Sequence, residues 1–261
     1  MVLSHQAGVR IPLGLHNKKM DIYIQIEKAL KEFLLKCEFV IDEMGASPRS
    51  IGDKVQEAIT KNFPEICKGV ATQLGMEFNF KTVFSRRAFE DVAFSVGDKY
   101  LAFDVKTRNV EAAFHMPNIK SVERFIHFYT SPKNVLVIVN ADYQLNLECQ
   151  AEPIIFKQIT VAPIEHFVWN CLRFGKLGYG QIQIEPGKPI EINREQTRKI
   201  WMNAFFQKLI SFYEEELEKS RAMIQWAQKC QKLWQEGKID ETSRLIRYIR
   251  ESTAEYKTSK E

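Results

Sequence analysis

The sequence predicts an α/β fold, with a central sheet flanked by helices and a long C-terminal helix. Three observations predict it. Apolar residues recur at helical spacing near both ends, strand-like alternation fills the middle, and Val135-Leu136-Val137-Ile138-Val139 is apolar on both faces, as a strand buried in a sheet is. The 261 residues contain no internal repeat, low-complexity tract or Pro/Gly/Ser-rich linker, so residues 1–261 read as a single domain.

Taken in order, Asp21 to Met44 has helical periodicity through Ile22, Ile26, Leu30 and Leu34, with Gly45 as its stop. A second helix is expected to open near Ser47-Pro48 and to run through Val55, Ile59 and Phe63. Alternation from Glu77 to Phe84 predicts a strand. Two more, Asp91 to Val96 and Lys99 to Lys106, are joined by Gly97-Asp98. A helix from Ser121 to Tyr129 leads into the buried run at 135–139. Strands follow at Ile154 to Val161 and Gln181 to Ile184, with a short helix near Pro163 to Leu172 between them. Asn193-Arg194-Glu195-Gln196 resembles a capping box, and no Gly or Pro then occurs until Gly237. That amphipathic segment either covers the sheet or pairs with a second subunit.

Composition excludes several classes. Hydrophobic residues make up 45% and charged residues 27%, which suits a chain with its own core rather than a disordered one. No stretch approaches the ~18 uncharged apolar residues of a membrane span, so no membrane partner is expected. Met1 to Gln6 has no basic segment leading into an apolar run, and a cytoplasmic location is expected. Lys and Arg number 37 against 33 Asp and Glu, a balance of +4 that is compatible with nucleic acid but too small to argue for it. The five cysteines are widely spaced without a Cys-x-x-Cys pair, and the five histidines show no His-Glu-x-x-His pattern. Reduced thiols are therefore expected, and neither a zinc site nor an organic cofactor.

The most informative segment runs from Glu90 to Lys106. Gly97-Asp98 between two alternating runs signals a two-residue hairpin. Val96 then faces Lys99, and facing residues have numbers that add to 195. Val92, Phe94, Val96, Leu101, Phe103 and Val105 fall on one wholly apolar face, which must point into the core. Asp91, Ala93, Ser95, Tyr100, Ala102, Asp104 and Lys106 fall on the other. Asp91 and Asp104 should lie opposite each other, with Cβ atoms ~5 Å apart. Facing carboxylates repel. One can stay protonated, both can be solvated at an edge, or a divalent cation can sit between them. Hard oxygen ligands suit Mg²⁺, which takes one or two carboxylates and keeps several waters. Lys106, two residues beyond Asp104 on the same face, would place an ammonium beside such a metal. Arg86, Arg87 and the polar run Lys106-Thr107-Arg108-Asn109 could supply phosphate contacts, and Asn118 could reach a base edge.

Asp91, then Asp104-Val105-Lys106-Thr107-Arg108-Asn109 thirteen positions later, then Pro117-Asn118-Ile119, together resemble the active-site hairpin and following segment of the PD-(D/E)xK nuclease superfamily, in particular its HincII-like type II restriction endonucleases. The similarity extends more weakly over residues 45 to 230. It implies a restriction-endonuclease-like mixed central sheet and Mg²⁺ held by Asp91, Asp104 and the backbone carbonyl of Val105. It also implies activation of the attacking water by Lys106, with Asp91, Asp104 and Lys106 catalytic. Thr107 and Asn109 would approach the scissile phosphate, and Asn118 would contact a base. His115 stands where the family inserts a glutamine between base pairs. Glu90 replaces the motif's proline and is either an extra acid or a solvated strand start. Glu57 lies on a helix from which related nucleases send a carboxylate toward the metals.

Beyond the motif, Arg173 to Gly180 mixes glycine, aromatic and basic residues, including Lys176, as either a DNA-contacting loop or an ordinary turn. Arg244, Arg247 and Arg250 recur at helical spacing, as phosphate contacts or a solvated face. The expected function is Mg²⁺-dependent cleavage of double-stranded DNA by a homodimer reading a palindrome. The alternatives are a repair or junction nuclease on the same hairpin, and a non-catalytic DNA-binding protein.

Overall fold

Helix, hairpin and crossover succeed one another in the order that places a parallel strand beside the hairpin. A computed structural model describes residues 14–39, 48–81, 89–112, 117–146 and 153–236, and side chains within 14–21 and 48–49 are left aside. The expectations for Arg86, Arg87, His115, Arg244, Arg247 and Arg250 lie outside the described residues. The chain divides into two compact units, residues 1–203 and 204–261.

In the first unit, α1 (Gly14–Leu34) and α2 (Pro48–Gln73) precede a five-stranded sheet. Its strands are β1 (Asn79–Lys81), β2 (Val92–Val96), β3 (Lys99–Asn109), β5 (Asn134–Leu145) and β6 (Ile154–Pro163), adjacent in that order. β3 and β5 are parallel, joined through β4 (Asn118–Ser121) and α3 (Val122–Phe128), and the other pairings are antiparallel. The sheet is therefore mixed, as the resemblance implies. A second, three-stranded antiparallel sheet, ordered β4-β8-β7, adds β7 (Leu172–Gly175) and β8 (Gln181–Ile184).

The hairpin folds as its turn dictates. Val96 pairs with Lys99, and the ladder continues through Phe94 with Leu101 to Val92 with Phe103. Gly97 alone takes a positive φ, 60°, at the first turn position, as a II′ turn requires. The apolar face points into the core as expected. Phe94, Phe103 and Val105 are buried with Val137, Val139 and Val161 beneath Ile26, Leu30, Val55, Ile59 and Phe63 of α1 and α2. Phe103 meets Phe63 at 5.0 Å and Phe94 at 4.7 Å between ring centroids. β5 is buried from Val135 to Tyr143, longer than the apolar run, because its polar residues Asn140 and Asp142 find partners inside.

The sheet's other face changes character along β3. It begins with Ala93, Ala102 and Leu136, and Phe128 of α3 lies beside Tyr100 and stacks on Phe89 at 4.2 Å. From Asp104 onward it is polar, with Lys106 beside Asn140 and Arg108 beside Asp142.

Two boundaries differ from expectation. α1 ends at Leu34, ten residues before Met44. Asn193 does not cap a helix: its Oδ1 accepts from Glu195 N–H at 3.1 Å within a turn. α4 (Arg198–Gln235) starts later, and Thr197 Oγ1 accepts from Ile200 N–H at 3.4 Å. Asn193 loses because its short side-chain carbonyl accepts from the N–H two residues on and closes an Asx turn instead. Thr197→Ala is expected to destabilise the fold by about 0.5–1 kcal/mol, read by urea denaturation.

The second unit holds α4 from Ala204 onward among its described residues. Exposed pairs such as Lys219 with Glu216 (3.0 Å) and Arg221 with Glu218 (2.6 Å) run along it at helical spacing. No described helix is long and apolar enough to cross a membrane.

Candidate metal and phosphate site

The site grows from the point where β2 ends and β3 continues. After the Val92–Phe103 pair the ladder stops, and Asp91 N–H donates to the Phe103 carbonyl at 2.9 Å. Asp91 Oδ2 then accepts the N–H of Val105 at 2.7 Å, a bond that a backbone carbonyl would otherwise take. Asp91 therefore does not face Asp104 as a ladder pair. It folds its carboxylate across the exposed edge of β3. Both polar groups of a strand residue emerge on the same edge, so the Val105 carbonyl shares the Asp91 side.

Asp104 is 1% exposed. The sequence pattern places it on a wet face, but it is buried, with Lys120 of the second sheet against it. Two ammonium groups neutralise it. Lys106 Nζ lies 3.0 Å from Oδ2, and Lys120 Nζ donates to Oδ1. Burial pushes the Asp104 carboxyl above the usual carboxylate range; Lys106 and Lys120 oppose this, and Asp91 reinforces it. Oδ2, although close to Lys106, accepts no aligned hydrogen bond and is shielded from solvent.

Lys120 is the residue that sequence reasoning missed. It comes from β4, in the second sheet, and stands 5.2 Å from the centre of the Phe89 ring. No motif spacing signals it, because β4 is only four residues long and bulged between Asn118 and Lys120.

The remaining expected residues separate into two groups. Thr107, Arg108 and Asn109 are buried and committed to the fold. Thr107 Oγ1 donates to the Gly52 carbonyl of α2 at 3.2 Å. Arg108 Nε donates to Asp142 Oδ1 at 2.8 Å and its Nη2 to Oδ2, while Nη1 donates to the carbonyls of Lys188 (2.8 Å) and Glu185 (3.2 Å). Asn109 Oδ1 accepts from Glu111 N–H at 3.0 Å. These interactions correct the expectation of exposed phosphate ligands. Strand alternation turns Thr107 and Asn109 toward the helices, and Asp142 captures Arg108.

Asn118, Arg173 and Lys176 stay near the surface, on or beside the second sheet. Asn118 is exposed, and its Oδ1 accepts from Gln183 Nε2 at 2.6 Å. Arg173 forms a 3.8 Å ion pair with Glu185. Lys176 lies in the loop between β7 and β8, which the Val122 N–H to Gly180 carbonyl bond (3.0 Å) ties to α3 beside Lys120. Two acidic residues are turned to other uses. Glu90 accepts from the Tyr100 hydroxyl at 2.5 Å, and Glu57 is exposed on α2, which packs on the opposite face of the sheet.

Among the described residues no three His, Cys, Asp or Glu side chains converge. A cation here would draw on Asp91, Asp104 and the Val105 carbonyl. Two carboxylates and a carbonyl form an all-oxygen donor set of the kind Mg²⁺ accepts with water completing its shell, and the orphaned Asp104 Oδ2 supplies a buried acceptor. Compared with known proteins, the chain matches no family model and no curated protein.

Proposed function

We propose that the protein is a type II restriction endonuclease of restriction-endonuclease-like fold, which hydrolyses double-stranded DNA with Mg²⁺ and leaves 5′-phosphate and 3′-hydroxyl ends. The observation that carries this reading is the convergence of Asp91, Asp104, the Val105 carbonyl and Lys106 where the hairpin opens. Asp91, Asp104 and Val105 would hold the Mg²⁺. Bound there, the cation supplies positive charge for the attacked phosphate and makes water more acidic. Lys106 orients the attacking water and offsets charge at the phosphorus. Its ammonium is positioned by Asp104 before substrate arrives. Lys120 provides a second ammonium within reach of the phosphodiester. Asn118, Arg173 and Lys176 present amide and cationic groups from the second sheet to the duplex. Two identical half-sites call for two identical readers, so the protein would act as a homodimer, in the cytoplasm.

Incubating plasmid DNA with the protein and Mg²⁺ tests the reading. Discrete bands support it. Cleavage confined to branched DNA would indicate a junction nuclease, and a gel shift with intact DNA would indicate a binding protein. Sequencing the cut ends then gives the site. Asn118→Ala is expected to relax discrimination at one base pair by about 1–3 kcal/mol, measured as the ratio of cleavage rates on matched and singly substituted sites. Equal ratios would remove Asn118 from base readout.

A further inference from the structure

α4 carries an exposed apolar stripe among the described residues. Phe206, Ile210, Tyr213, Leu217, Ile224 and Trp234 are all exposed, Ile210, Leu217 and Ile224 at 57, 51 and 56%. Their spacing alternates four and three residues, with Ser220, Ala227 and the polar Gln231, at a, completing the pattern. That is a heptad seam, with Ile210, Leu217 and Ile224 at a and Phe206, Tyr213, Ser220, Ala227 and Trp234 at d. It spans residues 206 to 234, roughly 40 Å of helix at 1.5 Å per residue. Exposed Ile, Leu and Trp on one face of a helix, flanked by charge, mark an interaction surface rather than a solvated one.

We infer that this stripe is the seam of a parallel two-stranded coiled coil formed with α4 of a second copy of the chain. Three features select that occupant. The period of 3.5 residues keeps the seam facing one partner helix along its whole length. In a parallel pair each a residue meets its own copy, so Ile210, Leu217 and Ile224 each close an apolar layer against an identical side chain. In that register Glu216, at g, lies beside the partner's Arg221, at e, so each of the two symmetric contacts joins opposite charges. Both side chains have exposed intrahelical partners, Glu216 with Lys219 and Arg221 with Glu218, which solvent makes easy to exchange. This inference deepens the homodimer of the proposed function by naming its surface. It rests on α4 alone and is tested without DNA or metal, so its failure would leave the cleavage reading standing.

Light scattering after size exclusion of the full chain should give a mass near twice 30.4 kDa at about 50 µM. Leu217→Glu with Ile224→Glu places like charges at two a layers and should return the mass to 30.4 kDa, with the circular dichroism of the folded chain retained. Both side chains are exposed, so the variant leaves the chain's own packing intact. Leu217→Cys should form a covalent dimer on mild oxidation, because equivalent a residues meet only in the parallel register, while Glu215→Cys on the outer face should not. A monomeric wild-type protein, a double variant that stays dimeric, or Leu217→Cys that fails to cross-link would each overturn the inference.

Discussion

Asp104→Asn is expected to abolish cleavage, lowering the rate more than about a thousandfold, or about 4 kcal/mol of transition-state stabilisation. The change keeps the side chain's size but removes the charge that Lys106 and Lys120 share. It also removes an anionic ligand from a donor set with just two carboxylates, and water or carbonyl oxygen does not replace that charge. Duplex binding in the absence of metal should persist or tighten, because Lys106 and Lys120 lose the negative charge that offsets theirs. The measurement is paired: single-turnover cleavage with Mg²⁺, and a gel shift without it. Cleavage by the variant at the normal rate would remove Asp104 from the metal site. Loss of both cleavage and binding would point instead to a damaged fold.

The second large effect concerns stability. Arg108→Met should destabilise the protein by about 3–5 kcal/mol, because Asp142 would remain charged and buried with Asn140 Nδ2, at 2.7 Å, as its remaining hydrogen-bond donor. For a chain of this size that corresponds to a fall of roughly 10 °C in Tm, read by calorimetry. Adding Asp142→Leu should recover most of the loss, since the desolvation penalty disappears with the orphaned charge. An Arg108 that served mainly to contact phosphate would instead leave Tm unchanged and weaken DNA binding at every sequence.

How much of this was legible in the sequence follows from the range of each interaction. The hairpin could be read because a two-residue turn sets the register locally, and alternation then sorts the faces from Val92 to Val105. The meeting of Lys106 with Asp104 follows from the same alternation. The departure of Asp91 from the ladder could not be read, since it depends on a side chain outcompeting a backbone carbonyl for Val105 N–H. Arg108 looked like a phosphate ligand because its partner Asp142 is thirty-four residues away and becomes a neighbour only through the parallel pairing of β3 with β5. Of the second sheet only β8 could be read, because β4 and β7 lie against residues distant in sequence, β4 is bulged, and neither carries an alternation of its own. Lys120 was hidden with it.

The parallel pairing of β3 with β5 runs unbroken from Tyr100 to Asn109. Along those ten positions odd-numbered side chains face the helices and even-numbered ones face the carboxylate and its lysines. A single residue inserted in β3 ahead of Phe103 would therefore exchange the two sets, driving charge into the hydrocarbon and Phe103 toward the lysines. The distance between the acidic pair and the lysine can be altered only in steps of two, or by changing the loops. Changes of length are therefore tolerated in the second sheet and the turns around it, while the strand itself is held to a fixed count.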